Sequence, residues 1–301
     1  MNILHRLEQV KNDPSSPAAI ELQLLLNEAA SVASTSSSFP TPPQFCKKVT
    51  QAIDVISRSL LLYPSRESSS PSTTTNITTT TTTTASHREK RQRIALSFNG
   101  GKDCTVVLHL LLAALATNND NDPATSLIHN VLPFYFSTPD VFAEELEFVK
   151  RTANQFFGGE HHLLNIPNVS NEEGVTTLVA QYGIKAFLMG TRATDPDGRW
   201  LNGVFWPSSK GWCPFMRINP CLDWNYMEVW IFLRFFNIDY CSLYDAGYTS
   251  IGSKSTSMPN PTLQKEGKGG TEEEDDCFHP AYMLADETQE RAGRVPKKRK
   301  K

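Results

Sequence analysis

The chain has 301 residues, a formal net charge of −3 and a hydrophobic content of 39%. That length fits one large α/β domain or two small ones, and near-neutral charge gives no reason to expect bulk nucleic-acid binding. No apolar run approaches the roughly 20 residues that span a bilayer, Met1 to Arg6 lacks the apolar stretch of a secretory signal, and the cysteines (46, 104, 213, 221, 241 and 277) form no Cys-x-x-Cys pair and suit reduced thiols in the cytosol better than disulfides or zinc.

In chain order, residues 1–63 read as a helical region flanking the core. Ile20, Leu22, Leu24, Leu25 and Leu26 form an apolar stripe. Ser34 to Pro43 breaks the pattern, and Phe45 to Leu62 resumes it with Val49, Ile53, Ile56 and Leu60 on one face. Residues 64–90 carry serines and a threonine tract at Thr78 to Thr84. They have almost nothing apolar to bury and are expected to be disordered. The glycosylation pattern Asn76-Ile77-Thr78 reads as chance in a chain without a secretory signal.

The core is expected over residues 91–294. Strands are predicted at Arg93 to Phe98, Asn130 to Phe136, His162 to Ile166 and Lys185 to Gly190. Between them lie a helix from Thr105 to Ala116, a polar turn from Asn118 to Thr125, and helices from Val141 to Phe157 and Glu172 to Tyr182. The alternation implies parallel βαβ units in an open, mostly parallel, doubly wound sheet with helices on both faces. Ligands on such sheets sit beyond the carboxyl ends of the strands, where the turns after Ser97 and Gly190 fall. A later helix through Trp230, Leu233 and Phe236 takes Asp223 as its expected N-cap. The acidic run Glu272 to Asp276 reads as a solvated loop. The basic tail, residues 295–301, reads as a nuclear-import signal or a solvated tail.

The chemistry starts at Ser97-Phe98-Asn99-Gly100-Gly101-Lys102-Asp103. A buried strand meets a buried helix through a glycine turn. Glycines let backbone N–H groups approach a phosphate, and the helix N-terminus behind them carries partial positive charge. Lys102 adds a point charge. The stretch lacks the spacer and the Ser/Thr of a Walker A loop, and it lacks Gly-x-Gly-x-x-Gly. After the fourth strand comes Gly190-Thr191-Arg192-Ala193-Thr194-Asp195-Pro196. Arg192 offers a bidentate fork for phosphate and Asp195 a ligand for a metal or an amine; alone, the segment is also an ordinary Asp-Pro turn. In the loop Gly211-Trp212-Cys213-Pro214-Phe215-Met216-Arg217, Trp212 can stack on a heteroaromatic ligand. Arg217 there could meet a phosphate or pair with an acid. Gly247-Tyr248-Thr249-Ser250-Ile251-Gly252 and Asn260-Pro261 follow. Near the end Arg291 and Arg294, three apart, are expected on one helix face. They could clamp phosphate or pair with Glu287 and Glu290 at the surface.

Occurring together and in this order from about residue 93 to residue 294, these motifs resemble the eukaryotic FAD synthase, or FMN adenylyltransferase, family of the fungal single-domain type. Its fold is PAPS reductase-like, and its phosphate loop is the ATP-pyrophosphatase kind. The resemblance implies transfer of AMP from ATP to FMN with magnesium, giving FAD and pyrophosphate. It puts Ser97, Asn99, Gly100, Gly101, Lys102 and Asp103 at the ATP phosphates, with Asp103 near Mg2+. Phe136, Thr191, Arg192 and Ile218 fall on the nucleotide side. Asp195, Ser209, Lys210, Gly211, Trp212 and Arg217 fall on the flavin side. Arg291 and Arg294 reach back to phosphate, and Asn99 and Asp103 join them as catalytic residues. The expectation is a cytoplasmic monomer, with a nuclear fraction if the tail acts, and apo-flavoproteins as recipients of FAD. One departure is Ser137-Thr138, where the family often has an acid after the second strand. The alternative on the same fold is a PAPS/APS-type reductase or another ATP pyrophosphatase. Such reductases use a cysteine in Glu-Cys-Gly-x-His, whereas Cys277 here lies in Asp276-Cys277-Phe278-His279.

Overall fold

The computed structural model describes residues 2–33, 39–67, 90–117, 123–167, 169–265 and 277–295. The threonine tract, the Asn76 pattern, the acidic run and all but Val295 of the basic tail lie outside the described residues. The segment 64–90 is described only at its ends, where β1 (Arg66–Glu67) pairs antiparallel with β2 (Lys90–Arg91).

The amino-terminal region forms α1 (Ile3–Asn12), α2 (Pro17–Val32) and α3 (Pro42–Leu62). Ser16 starts α2 by accepting the Ala19 N–H at 3.2 Å, with Pro17 as the first helical residue. Leu22, Leu26 and Ala29 give α2 its buried stripe, while Ile20 and Leu24, expected in that stripe, face outward. On α3 the buried positions include Phe45, Val49, Ile53 and Ile56.

The sheet comprises β3 (Ile94–Ser97), β4 (Val131–Ser137), β5 (Leu164–Pro167), β6 (Ala186–Leu188), β7 (Phe205–Pro207) and β8 (Met216–Ile218). Their spatial order is β5-β4-β3-β6-β8-β7, parallel throughout except for β7, which pairs antiparallel with β8 at one edge. Side chains of β3 alternate between two cores. Ile94 and Leu96 join a large one with α3, α4 (Lys102–Ala116) and α8 (Tyr226–Phe235); Ala95 joins a smaller one with Phe134, Leu178 of α7 (Asn171–Gln181) and Phe187. Helices therefore cover both faces, as the alternation predicted. Two further helices run along the sheet. α6 (Ala143–Phe156) follows β4, and α5 (Pro123–Asn130) replaces part of the expected polar turn, anchored by the fully buried Leu127. No helix among the described residues is long and apolar enough to cross a membrane.

Two expectations need correction. The cap of α8 is Asn225, not Asp223. Its Oδ1 accepts the Glu228 N–H at 2.8 Å, and Glu228 accepts the Asn225 N–H at 2.9 Å. Arg291 and Arg294 do not share a helix. After a single 3₁₀ turn at Glu287–Gln289, the chain continues as an arm of tight turns, with Ala292 N–H on Gln289 O and Arg294 N–H on Arg291 O, and is tied elsewhere by Gly293 O, which accepts the Met258 N–H, and Val295 N–H, which donates to Thr256 O, all at 2.9 Å.

From β3 the order steps to β4 and β5 on one side and to β6 and β8 on the other. The carboxyl ends of β3 and β6 thus flank the topological switch point, the crevice where such sheets bind ligands.

Candidate functional site

At the end of β3 the fully buried Phe98 donates its N–H to Phe134 O at 2.8 Å. The exposed Asn99 folds its Oδ1 back over the turn, accepting from the Gly101 N–H at 3.2 Å and the Cys104 thiol at 3.1 Å. Gly100 has φ +78°, and a Cβ there would lie 3.0 Å from Val149 Cγ2 of α6. Gly101 then caps α4. Ser97, Asn99, Gly100, Gly101 and Asp103 are thereby gathered on one turn at the switch point. The turn after β6 closes on it: a Cβ on Gly190 would lie 2.7 Å from the carbonyl carbon of Asp103. Gly190→Ala should push the two turns apart and cost about 1–3 kcal/mol of stability, read as a lower denaturation midpoint.

Lys102 and Arg192, expected to face phosphate, turn inward instead. The Lys102 side chain is 3% exposed, and its Nζ meets Glu290 Oε1 at 2.6 Å and Asp103 Oδ2 at 3.0 Å. The Arg192 side chain is 1% exposed; its guanidinium meets Glu290 at 2.7 Å, and Asp103 and Asp195 at 3.1 Å each. Asp195 also accepts the Arg192 N–H at 2.8 Å, so it belongs to this cluster. Two buried cations thus organise three carboxylates. Burial alone would lower Lys102, yet Asp103 and Glu290 outweigh it and hold the ammonium above its ordinary pKa. Burial would raise Asp103, but Lys102 and Arg192 hold it below the usual carboxylate range. Asp195 stays raised, because burial exceeds the pull of Arg192.

Glu290 is the residue that sequence reasoning missed, having been read only as a surface partner for arginines. Its place is set by the arm. Thr249 Oγ1 donates to Glu290 O at 2.6 Å, and the fully buried Asn260 donates to Thr249 Oγ1 at 2.9 Å and to Gln289 O at 2.8 Å. The motifs around Thr249 and Asn260 are therefore clasps that aim Glu290 at Lys102 and Arg192. Glu290→Ala should cost about 3–5 kcal/mol, the penalty for breaking a buried ion pair from one side, and urea unfolding would measure it.

The same arm delivers the two arginines. Arg294 lies over Gly252, where any Cβ would overlap its guanidinium. Burial and then the neighbouring Arg291 lower its pKa, while Glu145 and Tyr244 raise it. Tyr244 Oη in turn accepts the Lys102 N–H at 2.9 Å, at the first turn of α4. Among the described residues neither arginine has an ion-pair partner within 4.0 Å. Arg291 is exposed, and Arg294 is half-buried where Glu145 and Tyr244 act on it.

The remaining expected residues are spread further. Phe136 packs its ring on Gly174 and against Phe134 at 5.4 Å, leaving backbone to any ligand. Thr191 is half-buried beside Gly198. Ile218 is fully buried in the main core on β8 between β6 and β7, which leaves its backbone to a nucleotide. Ser209, Lys210, Gly211 and Trp212 lie in the hairpin between β7 and β8, at the amino end of β8 and not at the phosphate turn. Three residues of strand, roughly 10 Å, separate the two levels. Arg217 donates to Pro207 O at 2.8 Å and Ser209 Oγ at 3.3 Å and stacks on Phe215 at 5.1 Å, bracing that hairpin. Trp212 is half-buried, 6.1 Å from Phe215, on the α7 face.

For a metal, no group of three or more His, Cys, Asp or Glu side chains converges among the described residues. Asp103 Oδ1 is nevertheless buried and, although Arg192 Nε lies 3.1 Å away, the two make no well-directed hydrogen bond, so that oxygen keeps a lone pair to offer. That fits an ion arriving with a nucleotide, bound through phosphates, water and one or two carboxylates, the usual habit of magnesium. The cysteines are all free, and burial pushes the Cys104 thiol up to about 12, which leaves it inert as a nucleophile.

Comparison with known proteins follows the same lines. Residues 93–259 match the phosphoadenosine phosphosulfate reductase domain family. A protein of Schizosaccharomyces pombe described as a probable FAD synthase is 40% identical over 208 residues, covering 67% of this chain and 72% of its own length. A Caenorhabditis elegans protein of the same description is 36% identical over 204 residues; there the match spans only 37% of the longer relative. The crystal structure of Candida glabrata FMN adenylyltransferase has the same fold, with a TM-score of 0.64 at 21% identity, covering 92% of this chain and 97% of that one.

Proposed function

The chain belongs to the FAD synthase family, and from that premise we propose that it transfers AMP from ATP to the phosphate of FMN, giving FAD and pyrophosphate. One observation carries the reading to specific residues: a glycine phosphate turn at the sheet's switch point, with Arg294 in no direct ion pair beside Glu145 and Tyr244, which border that turn. A phosphate monoester is already nucleophilic at neutral pH, so the reaction needs no general base. Its oxygen attacks the α-phosphorus of ATP in line; the bond to the β-phosphate oxygen breaks, and pyrophosphate leaves with that electron pair. The protein's part is positioning and charge neutralisation.

In this reading the backbone of Asn99 to Gly101 cradles the triphosphate, and Arg291 and Arg294 close on its β- and γ-phosphates. Lys102, Arg192 and Glu290 form the rigid base that fixes Asp103 and Asp195. Magnesium, held by Asp103 and the phosphates, would neutralise charge on the leaving pyrophosphate. Phe136 and Thr191 line the adenine end, and the Trp212 hairpin receives the flavin ring. FMN carries its phosphate and its ring at opposite ends, which suits the separation between the turn and the hairpin. A cytoplasmic monomer that passes FAD to apo-flavoproteins completes the proposal. Incubating the protein with ATP, magnesium and FMN should yield FAD and pyrophosphate in equal amounts. Pyrophosphate released without FAD would mean a plain ATP pyrophosphatase.

A further inference from the structure

Glu145, in the first turn of α6, has no role in the mechanism above, yet it borders the phosphate turn. Its carbonyl oxygen would lie 3.5 Å from a Cβ built on Gly100. Acids in the first turn of a helix commonly serve its dipole, and the exposed Glu144 beside it fits that role. Glu145 does not. Its Oε2 is buried and receives no hydrogen bond. A charged carboxylate is costly in such a place unless something compensates it. Its neighbours are Gly100 of the turn, Cys241 from the segment after α8, on which Glu144 and Arg151 also act, and Arg294, on which Tyr244 and Arg291 also act. Of these, Arg294 is the charge that acts on Glu145, and no direct ion pair joins them.

We propose that Glu145 is a positioning residue: it serves as the counter-ion of Arg294 while the nucleotide is absent, and it takes up a proton from solvent when the triphosphate claims that arginine. The inference rests on the nucleotide reading above. Before binding, one carboxylate and one arginine attract across the turn. Afterwards the arginine faces phosphate, and an ionised Glu145 would stand uncompensated beside several negative charges, so the neutral acid is the stable form. Burial, only partly offset by Arg294, already pushes its carboxyl up to about 7, so the proton is available near neutral pH. The sign for folding follows. Between the ordinary value of 4.5 and about 7 the native state binds more protons than the unfolded chain, so Glu145 makes stability fall as pH rises through that window.

The test is calorimetric titration of the full chain with magnesium and α,β-methylene-ATP at pH 8, in buffers of different ionisation enthalpy. The wild type should take up about one proton per nucleotide, because ionised Glu145 must be neutralised. Glu145→Gln, which mimics the neutral acid, should take up almost none. It should bind about tenfold more tightly at pH 8, one pH unit being worth tenfold, and the two proteins should converge toward pH 6. Glu145→Leu with a matched melting curve serves if the glutamine variant folds poorly. Equal proton uptake by wild type and variants, or none in the wild type, overturns the proposal while nucleotide binding stands. A folded wild type that binds no nucleotide overturns the functional reading and this inference with it.

Discussion

Asp103→Ala should lower FAD formation by at least about a hundredfold and leave the protein folded. Asp103 sits where the first turn of α4 meets Gly190, its carboxylate shared between Lys102 at 3.0 Å and Arg192 at 3.1 Å. Losing one preorganised charge at a reacting phosphate costs on the order of 2.7–4 kcal/mol of barrier. The fold should survive because Glu290 still holds both cations, at 2.6 and 2.7 Å. Asp103 is also the more exposed acid, 26% against 14% for Glu290, so less unpaired buried charge is left behind. Steady-state turnover beside a urea unfolding curve checks both halves. Wild-type turnover in a folded Asp103→Ala protein would remove Asp103 from the site.

Arg294→Ala should lose turnover by a similar factor with almost no change in stability, within about 0.5 kcal/mol. The contrast with Glu290→Ala is the point. Glu290 is locked into a buried charge network, so its loss is felt in folding. Arg294 has no acidic partner within ion-pair distance and rests over Gly252, so its charge is held for a ligand. If its role were structural, Arg294→Ala would lower the melting temperature and spare turnover per folded molecule. A 1.4 kcal/mol difference is a factor of ten, so paired activity and melting data separate the two cases cleanly.

Four strands, β3 to β6, were legible because each is a short apolar run bounded by glycine or polar turns, with amphipathic or buried helix between. The phosphate turn was legible too, since Gly100 and Gly101 leave few other reasons for a strand to meet a helix there. The three-residue strands β7, at the edge, and β8, beside it, were not: Phe205-Trp206-Pro207 is too short for a period to emerge, and its proline reads as a break. The inward turn of Lys102 and Arg192 was hidden for another reason. Glu290 lies 188 residues from Lys102 and 98 from Arg192, and no local pattern reports such a partner. Spacing three apart suggested a helix for Arg291 and Arg294. Instead the arm is a run of tight turns whose end is tied to Thr256 and Met258.

The most direct measurement follows the phosphorus of ATP. With ATP labelled at the α-phosphate, purified protein, magnesium and FMN, all transferred label should appear in FAD, and label placed at the γ-phosphate should appear only in pyrophosphate. Both transfers should stop when FMN is omitted. Label released as AMP without FMN, or no labelled FAD from folded protein with both substrates present, would contradict the account.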